Sequence, residues 1–493
     1  MYSFFISVAA LVIGYLVYGA FVEKVFAPDP ARKTPAVAKA DGVDFVPMPT
    51  WKVFMIQFLN IAGTGPIFGA IMGAMFGPSA FLWIVFGCIF AGAVHDYFSG
   101  MLSIRHGGAS FPDLVGHYLG KGTKTVMLLF SVLLMLLVGA VFVYSPAAIL
   151  GQDVDISFSG NVFASTMIWV GIIIAYYVIA TLLPVDKIIG KIYPVFAIAL
   201  LFMAVALFVC LLRADSSSVP ELWDGLANRK DSSVTPIFPC LFITIACGAV
   251  SGFHATQSPL MARCIKNEKL GRPIFYGAMI TEGLVALIWA AVASWIFWGG
   301  GEKLLLEAQY SLDGAPKIVN AISKYWLGIF GGILAILGVV AAPITSGDTA
   351  FRSARLIVAD FLHLDQKPVR NRLLISVPLF ALSGILLWYN IARPDGFGKI
   401  WSYFGWANQT LAVFTLWTIT SYLVKNKKGM YYLIGLIPAL FMTSVCVTFI
   451  LVDGTGFGLN AAWSPYIGGA TAIISLGLFA TFSLKARKQI NNI

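Results

Sequence analysis

Long apolar runs recur along the chain from its first residues to its last, with few charges inside them, and this pattern leaves little choice of fold. About 20 apolar residues cross a bilayer core as a helix, and in lipid every backbone polar group must be satisfied within such a segment. Runs of that length predict thirteen helices, over residues 3–22, 52–76, 79–104, 123–150, 162–183, 187–213, 236–265, 273–298, 327–355, 370–391, 401–424, 430–452 and 464–486. The expectation is an all-α polytopic membrane protein. Composition excludes a water-soluble enzyme: 59% of the 493 residues are hydrophobic and 11% charged, against about 45 to 50% and about 25% in soluble chains. A β-barrel would need short segments of alternating hydrophobicity, which the sequence lacks.

Basic residues test that count. The net charge of +10 would suggest nucleic acid in a soluble protein, but here the lysines and arginines sit in short loops, so no nucleic-acid partner is expected. Of the 33, 25 fall on one side, among them Lys24, Arg105, Lys266, Arg352 and Lys425, and eight on the other, among them Arg213, Lys230 and Arg393. A missed span would scramble the alternation after it. The bias therefore predicts an outside N-terminus and a cytoplasmic C-terminus. The run at 3–22 has no basic residue before it and no small-residue cleavage site after it, so it reads as a retained helix. The six cysteines are scattered without CxxC spacing and read as small packing residues. Trp51, Trp83, Trp169, Trp298, Trp326 and Trp401 fall near predicted helix ends, where interfacial anchoring is the ordinary role. Residues 23–51, 214–235 and 299–326 read as linkers or lids.

Two predicted helices interrupt themselves halfway across. In the second, "QFLNIAGTGPIFGA" carries Ala62, Gly63, Thr64, Gly65 and Pro66; in the seventh, "ITIACGAVSGFHATQSPLMA" carries Gly248, Ser251 and Gly252. Glycine and proline weaken the helix there, and irregular backbone at that depth is tolerated only where it is buried or lines a polar cavity. The two spans lie five apart, so they cross in opposite directions. Such a pair points to a secondary transporter with its site at the midplane, spans two to six mirroring seven to eleven. Half-helix N-termini near Pro66 and Phe253 are expected to offer N–H groups to a carboxylate, and the preceding carbonyls to hold a cation. Candidate substrate contacts are Asn60, Gly63, Thr64, Gly65, Ser251, Gly252, His254 and Gln257.

Ionisable residues within spans are costly and so are functional suspects. Thr345, Ser346, Asp348 and Thr349 place hydroxyl and carboxylate oxygens within a turn and a half of the ninth span, as a coupling-ion site or as polar glue between helices. His95 and Asp96 are adjacent in the third span and are expected to seek partners on other helices rather than each other. Glu282, Asn408 and Gln409 either line the pathway or bond across helices. No HExxH or GxSxG motif signals catalysis, and no enzyme is expected.

The strings "QFLNIAGTGPIFGA", "HDYFSGMLSIRHGGAS", "SPLMARCIKNEKLGRPIFYGAMITEGLVALIWA", "TSGDTAFRSARLI" and "FGWANQTLA" resemble the signature segments of the carbon starvation protein A family, also called the peptide transporter carbon starvation family. The resemblance runs from about residue 2 to 485 and implies a multi-pass protein of the bacterial cytoplasmic (inner) membrane. It also implies a LeuT-type core of five plus five inverted helices, distantly similar to amino acid, polyamine and organocation transporters. The function implied is ion-coupled uptake of small nutrients, most of all peptides, with pyruvate/proton symport as the alternative. Ala62 with the break at Gly63–Pro66, and Thr345 with Ser346, resemble the elements that hold a coupling sodium in that core. The expected organisation is 1–51 as a peripheral helix and linker, 52–213 and 214–424 as the two repeats, and 425–493 as added helices. No cofactor is expected beyond a coupling proton or sodium.

Overall fold

The computed structural model describes every residue except 43, 154–155, 159, 183–184, 215–216, 218, 227, 301–313, 367, 394–395, 428 and 492–493. The described secondary structure is helical throughout. The spans are α1 (Tyr2–Phe26), α2 (Thr50–Ile61 and Gly65–Phe76), α3 (Ser79–Arg105), α4 (Lys121–Asp153), α5 (Val162–Leu182), α6 (Val185–Arg213), α7 (Ile237–Thr244 and Gly252–Ala262) and α8 (Glu268–Gly299). They continue with α9 (Ala341–Leu362), α10 (Val369–Ala392), α11 (Gly396–Asn426), α12 (Leu433–Val452) and α13 (Ser464–Asn491). Among the described residues, nine helices are long and apolar enough to cross a membrane, and two bent pairs raise that to eleven. The other two spans stand apart for different reasons, one a long interruption and the other polar side chains. They are α7, interrupted from Ile245 to Ser251, and α11, which carries Asn408, Gln409 and several threonines.

Burial separates centre from rim: 83% of the most apolar stretch of α3 and of α8 is buried, against 28% of α1 and 11% of α13. Apolar side chains on α13, such as Ile473 and Leu478, face outward as lipid would require. One expectation is corrected in this region. Residues 314–326, read as part of a linker, form one helix with 327–334, read as the start of the ninth span; it runs Gly314–Leu334 with non-helical backbone at Gly328. Ile318, Val319 and Ile322 turn inward while Lys317 and Tyr325 turn out, an amphipathic stripe too short in apolar residues to read as a span.

The breaks occur where glycine and proline predicted them. In α2 the helix ends at Ile61, Ala62 leaves helical geometry (φ −80°, ψ 54°), and the chain resumes at Gly65 after a bend of 54°. In α7 it ends at Thr244, and Ser251 is extended (φ −143°, ψ 121°) before Gly252 restarts it. The two breaks touch. A Cβ on Gly65 would lie 2.3 Å from Cys247 Sγ, so only glycine lets the two irregular backbones approach this closely.

Candidate functional site

The interrupted backbone of α7 leaves N–H and C=O groups that lipid cannot satisfy, and three side chains take them up. Asn408 Oδ1 accepts from the Phe253 N–H at 2.7 Å and from Ser251 Oγ at 3.0 Å. The next residue, Gln409, donates through Nε2 to the Phe242 carbonyl at 3.1 Å, and Trp83 Nε1 donates to the Ile245 carbonyl at 2.9 Å. The dipeptide on α11 thus caps both lips of the break. Two expectations change. The Phe253 N–H is occupied by Asn408 and is not open to a carboxylate. Trp83 and Trp401 are buried, not interfacial, because the indole of Trp83 serves the break and Trp401 packs on Phe68 and Phe404.

At the α2 break the polar groups are less fully used. Asn60 is wholly buried, and among the described residues neither its Oδ1 nor its Nδ2 has a hydrogen-bond partner; the same holds for Thr64 Oγ1. Gly63 faces Phe142 of α4 and Ser346 of α9, whose Oγ donates to the carbonyls of Leu59 and Asn60, both at 3.1 Å. Phe142 also meets Phe253, edge to face at 6.2 Å. Gln257 Nε2 reaches Thr256 Oγ1 at 2.9 Å and Ser353 Oγ at 3.4 Å, with its Oε1 unpartnered among the described residues. The structure therefore places Asn60, Gly63, Thr64, Gly65, Ser251 and Gly252 at or beside two breaks in contact, with Gln257 further along α7 against Thr256 and Ser353.

The hydroxyl and carboxylate cluster of α9 divides. Residues 346 and 348 point about 200° apart on a helix, so they face opposite sides. Ser346 meets α2, Thr345 Oγ1 returns to the carbonyls of Ala341 and Ala342, and Asp348 Oδ2 accepts from Tyr193 Oη of α6 at 2.8 Å. Neither Tyr193 nor Tyr177, whose Oη donates to the Phe142 and Pro343 carbonyls, was singled out from sequence. Tyrosine in an apolar run, single at Tyr193 and beside Tyr176 at Tyr177, is the available signal, since a buried hydroxyl must find a partner.

His95 and Asp96 also depart from expectation, for they do pair. His95 Nδ1 lies 2.8 Å from Asp96 Oδ1, while Asp96 Oδ2 lies 2.9 Å from His254 Nδ1 of α7. Adjacent helical residues do not normally face each other. Here the carboxylate is held between two imidazoles, and His95 turns sideways to meet its free oxygen. His254 Nε2 in turn lies 3.6 Å from Glu282 Oε2 of α8, and all four side chains are fully buried. Among the described residues no group of three or more His, Cys, Asp or Glu side chains is arranged to hold a metal ion.

Comparisons with known proteins agree with this architecture. The family model described as "Carbon starvation protein CstA" matches residues 1–149, 145–326 and 308–449. A "Peptide transporter CstA" of Campylobacter jejuni is 28% identical over 88% of this chain and 78% of its own length. The "Pyruvate/proton symporter BtsT" of Escherichia coli is 26% identical over 90% and 80%. An uncharacterised membrane protein of Haemophilus influenzae is 49% identical over 59% of this chain and 90% of its own. Among solved structures, a manganese transporter of Eremococcus coleocola superposes with a TM-score of 0.56 at 12% identity, covering 91% of this chain and 99% of that one. MhsT in complex with L-phenylalanine superposes with 0.54 at 14%, covering 86% and 97%.

Proposed function

The chain belongs to the carbon starvation protein CstA family, and from that premise we propose that it is a secondary active transporter that takes up small organic nutrients by ion-coupled alternating access. Peptides are the leading substrate. One observation carries this reading. Two irregular helix segments meet inside the bundle, and beside them the buried Asn60 amide has both a donor and an acceptor without a partner among the described residues. An amide of that kind matches the paired donor and acceptor of a peptide group. Gly63, Thr64, Gly65, Gln257 and the α7 residues Ser251, Gly252 and His254 complete the proposed site, with α4 and α9 as its walls.

A second reading, pyruvate/proton symport, draws support from the buried imidazole–carboxylate chain of α3, α7 and α8, since intramembrane groups of this kind mark proton relays. Ala62, Thr345, Ser346 and Asp348 remain the candidates for a sodium-coupled variant. Ser346 supports that role best, because its hydroxyl lies beside two carbonyls of the α2 break. In either case ion and substrate must jointly favour one conformation, or an uncoupled leak follows. We place the protein in the bacterial cytoplasmic membrane, C-terminus inside, with 52–213 and 214–424 as the two repeats.

Reconstituted protein should exchange labelled dialanine or pyruvate across liposomes and accumulate it under an imposed proton or sodium gradient. Accumulation of both probes only down their own gradients would replace the transporter with a channel. The absence of any saturable exchange, across a panel of small peptides and acids, would remove the proposed substrate class.

A further inference from the structure

The four buried side chains His95, Asp96, His254 and Glu282 form one continuous chain across three helices, and its two ends are loose. Among the described residues, His95 Nε2 at one end and both Glu282 oxygens at the other lack a hydrogen-bond partner, as does His254 Nε2 between them. The only groups within 4.0 Å of either carboxylate that can take up positive charge, again among the described residues, are the two imidazoles. Among the described residues, the other titratable groups facing the chain are the thiols of Cys88 on α3 and Cys247 at the α7 break; Cys88 donates to the Met279 carbonyl at 3.3 Å, and Cys247 lies against Ser251 Oγ at 3.6 Å.

Two negative carboxylates and two neutral imidazoles would bury a double charge with no fixed cation beside it, which a membrane interior strongly disfavours. The geometry shows where the compensating proton fits. With the His254 ring proton on Nδ1, donating to Asp96, the bare Nε2 faces Glu282 Oε2 across 3.6 Å. One added proton on Glu282 Oε2 lets the carboxyl donate to the bare Nε2 once the 3.6 Å separation closes to hydrogen-bond length. The position also couples it to the breaks. His254 is three residues past Ser251, and its N–H donates to the Ser251 carbonyl at 3.2 Å. On α8, Glu282 stands one turn from Ala286, against which Gly248 of the α7 break is packed.

We propose that the His254–Glu282 pair, with Asp96 and His95 behind it, is the coupling-proton site of this transporter, loaded with one proton when α7 is in this arrangement and emptied when α7 moves relative to α8. The inference rests on the transport reading and assigns it an ion and a carrier. The step conserves atoms and charge: a proton enters from water, resides on Glu282 Oε2 facing His254 Nε2, and leaves to water on the opposite side, with no bond otherwise made or broken. Asp96 is a positioning residue, holding the His254 tautomer that leaves Nε2 free to accept.

The test uses the full chain in proteoliposomes with the membrane potential clamped, and labelled pyruvate and dialanine as probes. With one proton per substrate, an inward gradient of two pH units sustains about 100-fold accumulation, because each unit is worth about a factor of ten. Native protein should approach that ratio. Glu282→Gln should fall to about onefold while still exchanging the probe at equal pH, since exchange needs no net proton movement. Infrared difference spectra supply a readout free of substrate: a buried protonated carboxyl band should vanish as native protein is deprotonated and should be missing in Glu282→Gln. Proton-driven accumulation at the native ratio in Glu282→Gln, or its loss in Asp348→Asn alone, overturns the assignment. So does a native spectrum without the carboxyl band. If the band titrates but neither probe exchanges, the transport reading itself fails, and the coupling assignment with it.

Discussion

Replacing Asn408 by alanine isolates the physics of the α7 break. Asn408 Oδ1 accepts from a backbone N–H and a hydroxyl, both fully buried. The Ser251 hydroxyl can rotate towards Cys247 Sγ, 3.6 Å away, but the Phe253 N–H is fixed at the start of a half-helix. Its desolvation without a partner costs about 1 to 3 kcal/mol. Gln409 is the internal comparison. Its loss frees one carbonyl, at Phe242, and interhelical hydrogen bonds in membranes average about 0.6 kcal/mol because the unfolded chain in lipid finds other partners. Asn408→Ala should therefore destabilise the protein by about 0.5 to 2.5 kcal/mol more than Gln409→Ala. Mixed-micelle unfolding of the two variants beside the native protein measures the difference. If Asn408→Ala proves as stable as native, or more stable than Gln409→Ala, then the break is not held by the α11 cap and the account of its backbone is wrong.

Gly252→Ala would put a Cβ 2.3 Å from the Asn408 carbonyl oxygen and 2.4 Å from the Ala412 nitrogen, a backbone clash that should cost about 1 to 3 kcal/mol or more and abolish exchange. Gly384→Ala on α10, with open space around it, should instead be neutral or stabilising by up to about 1 kcal/mol, and thermal unfolding of both variants compares them. Tyr193→Phe removes the hydroxyl that donates to Asp348 and should cost about 1.5 to 3 kcal/mol if that carboxylate is ionised; an unchanged midpoint in the same micelle assay argues for a neutral Asp348. In the loop before α7, burial tends to raise the Glu221 carboxyl, but hydrogen bonds from the Met1 amino group, Ser3 and the backbone of Tyr2 hold it below the usual range. That stabilisation is present above the ordinary carboxylate value and is lost as pH falls through the folded one. Glu221→Gln should accordingly flatten the acid limb of a stability–pH curve, and an acid limb identical to native would show the contact to be inert.

The break positions were legible because they depend on local chemistry. Gly63, Gly65, Pro66, Gly248 and Gly252 weaken a helix wherever they stand, and at mid-span that weakness has to be answered by something polar. Asp348 was legible only as a costly residue. Its direction followed from a 200° turn relative to Ser346, which the sequence contained and which grouping by proximity along the chain obscured. The pairing of Asp96 with two histidines was not legible, since one partner lies 158 residues away and the other is its own neighbour. The caps supplied by Asn408 and Gln409 belong to the same class, as they serve a break more than 150 positions earlier.

Period, hydropathy and helix-breaking residues act over a few neighbouring positions, so the amino-acid order by itself determined a helical membrane protein with interrupted second and seventh spans. Which buried polar groups meet was decided only by the packing of α3, α7, α8 and α11, because a hydrogen bond is set by distance in space and its partners here come from distant parts of the chain. Lipid offers no substitute partner, so that tertiary choice settled which polar atoms are bound to protein and which, among the described residues, are left without a partner.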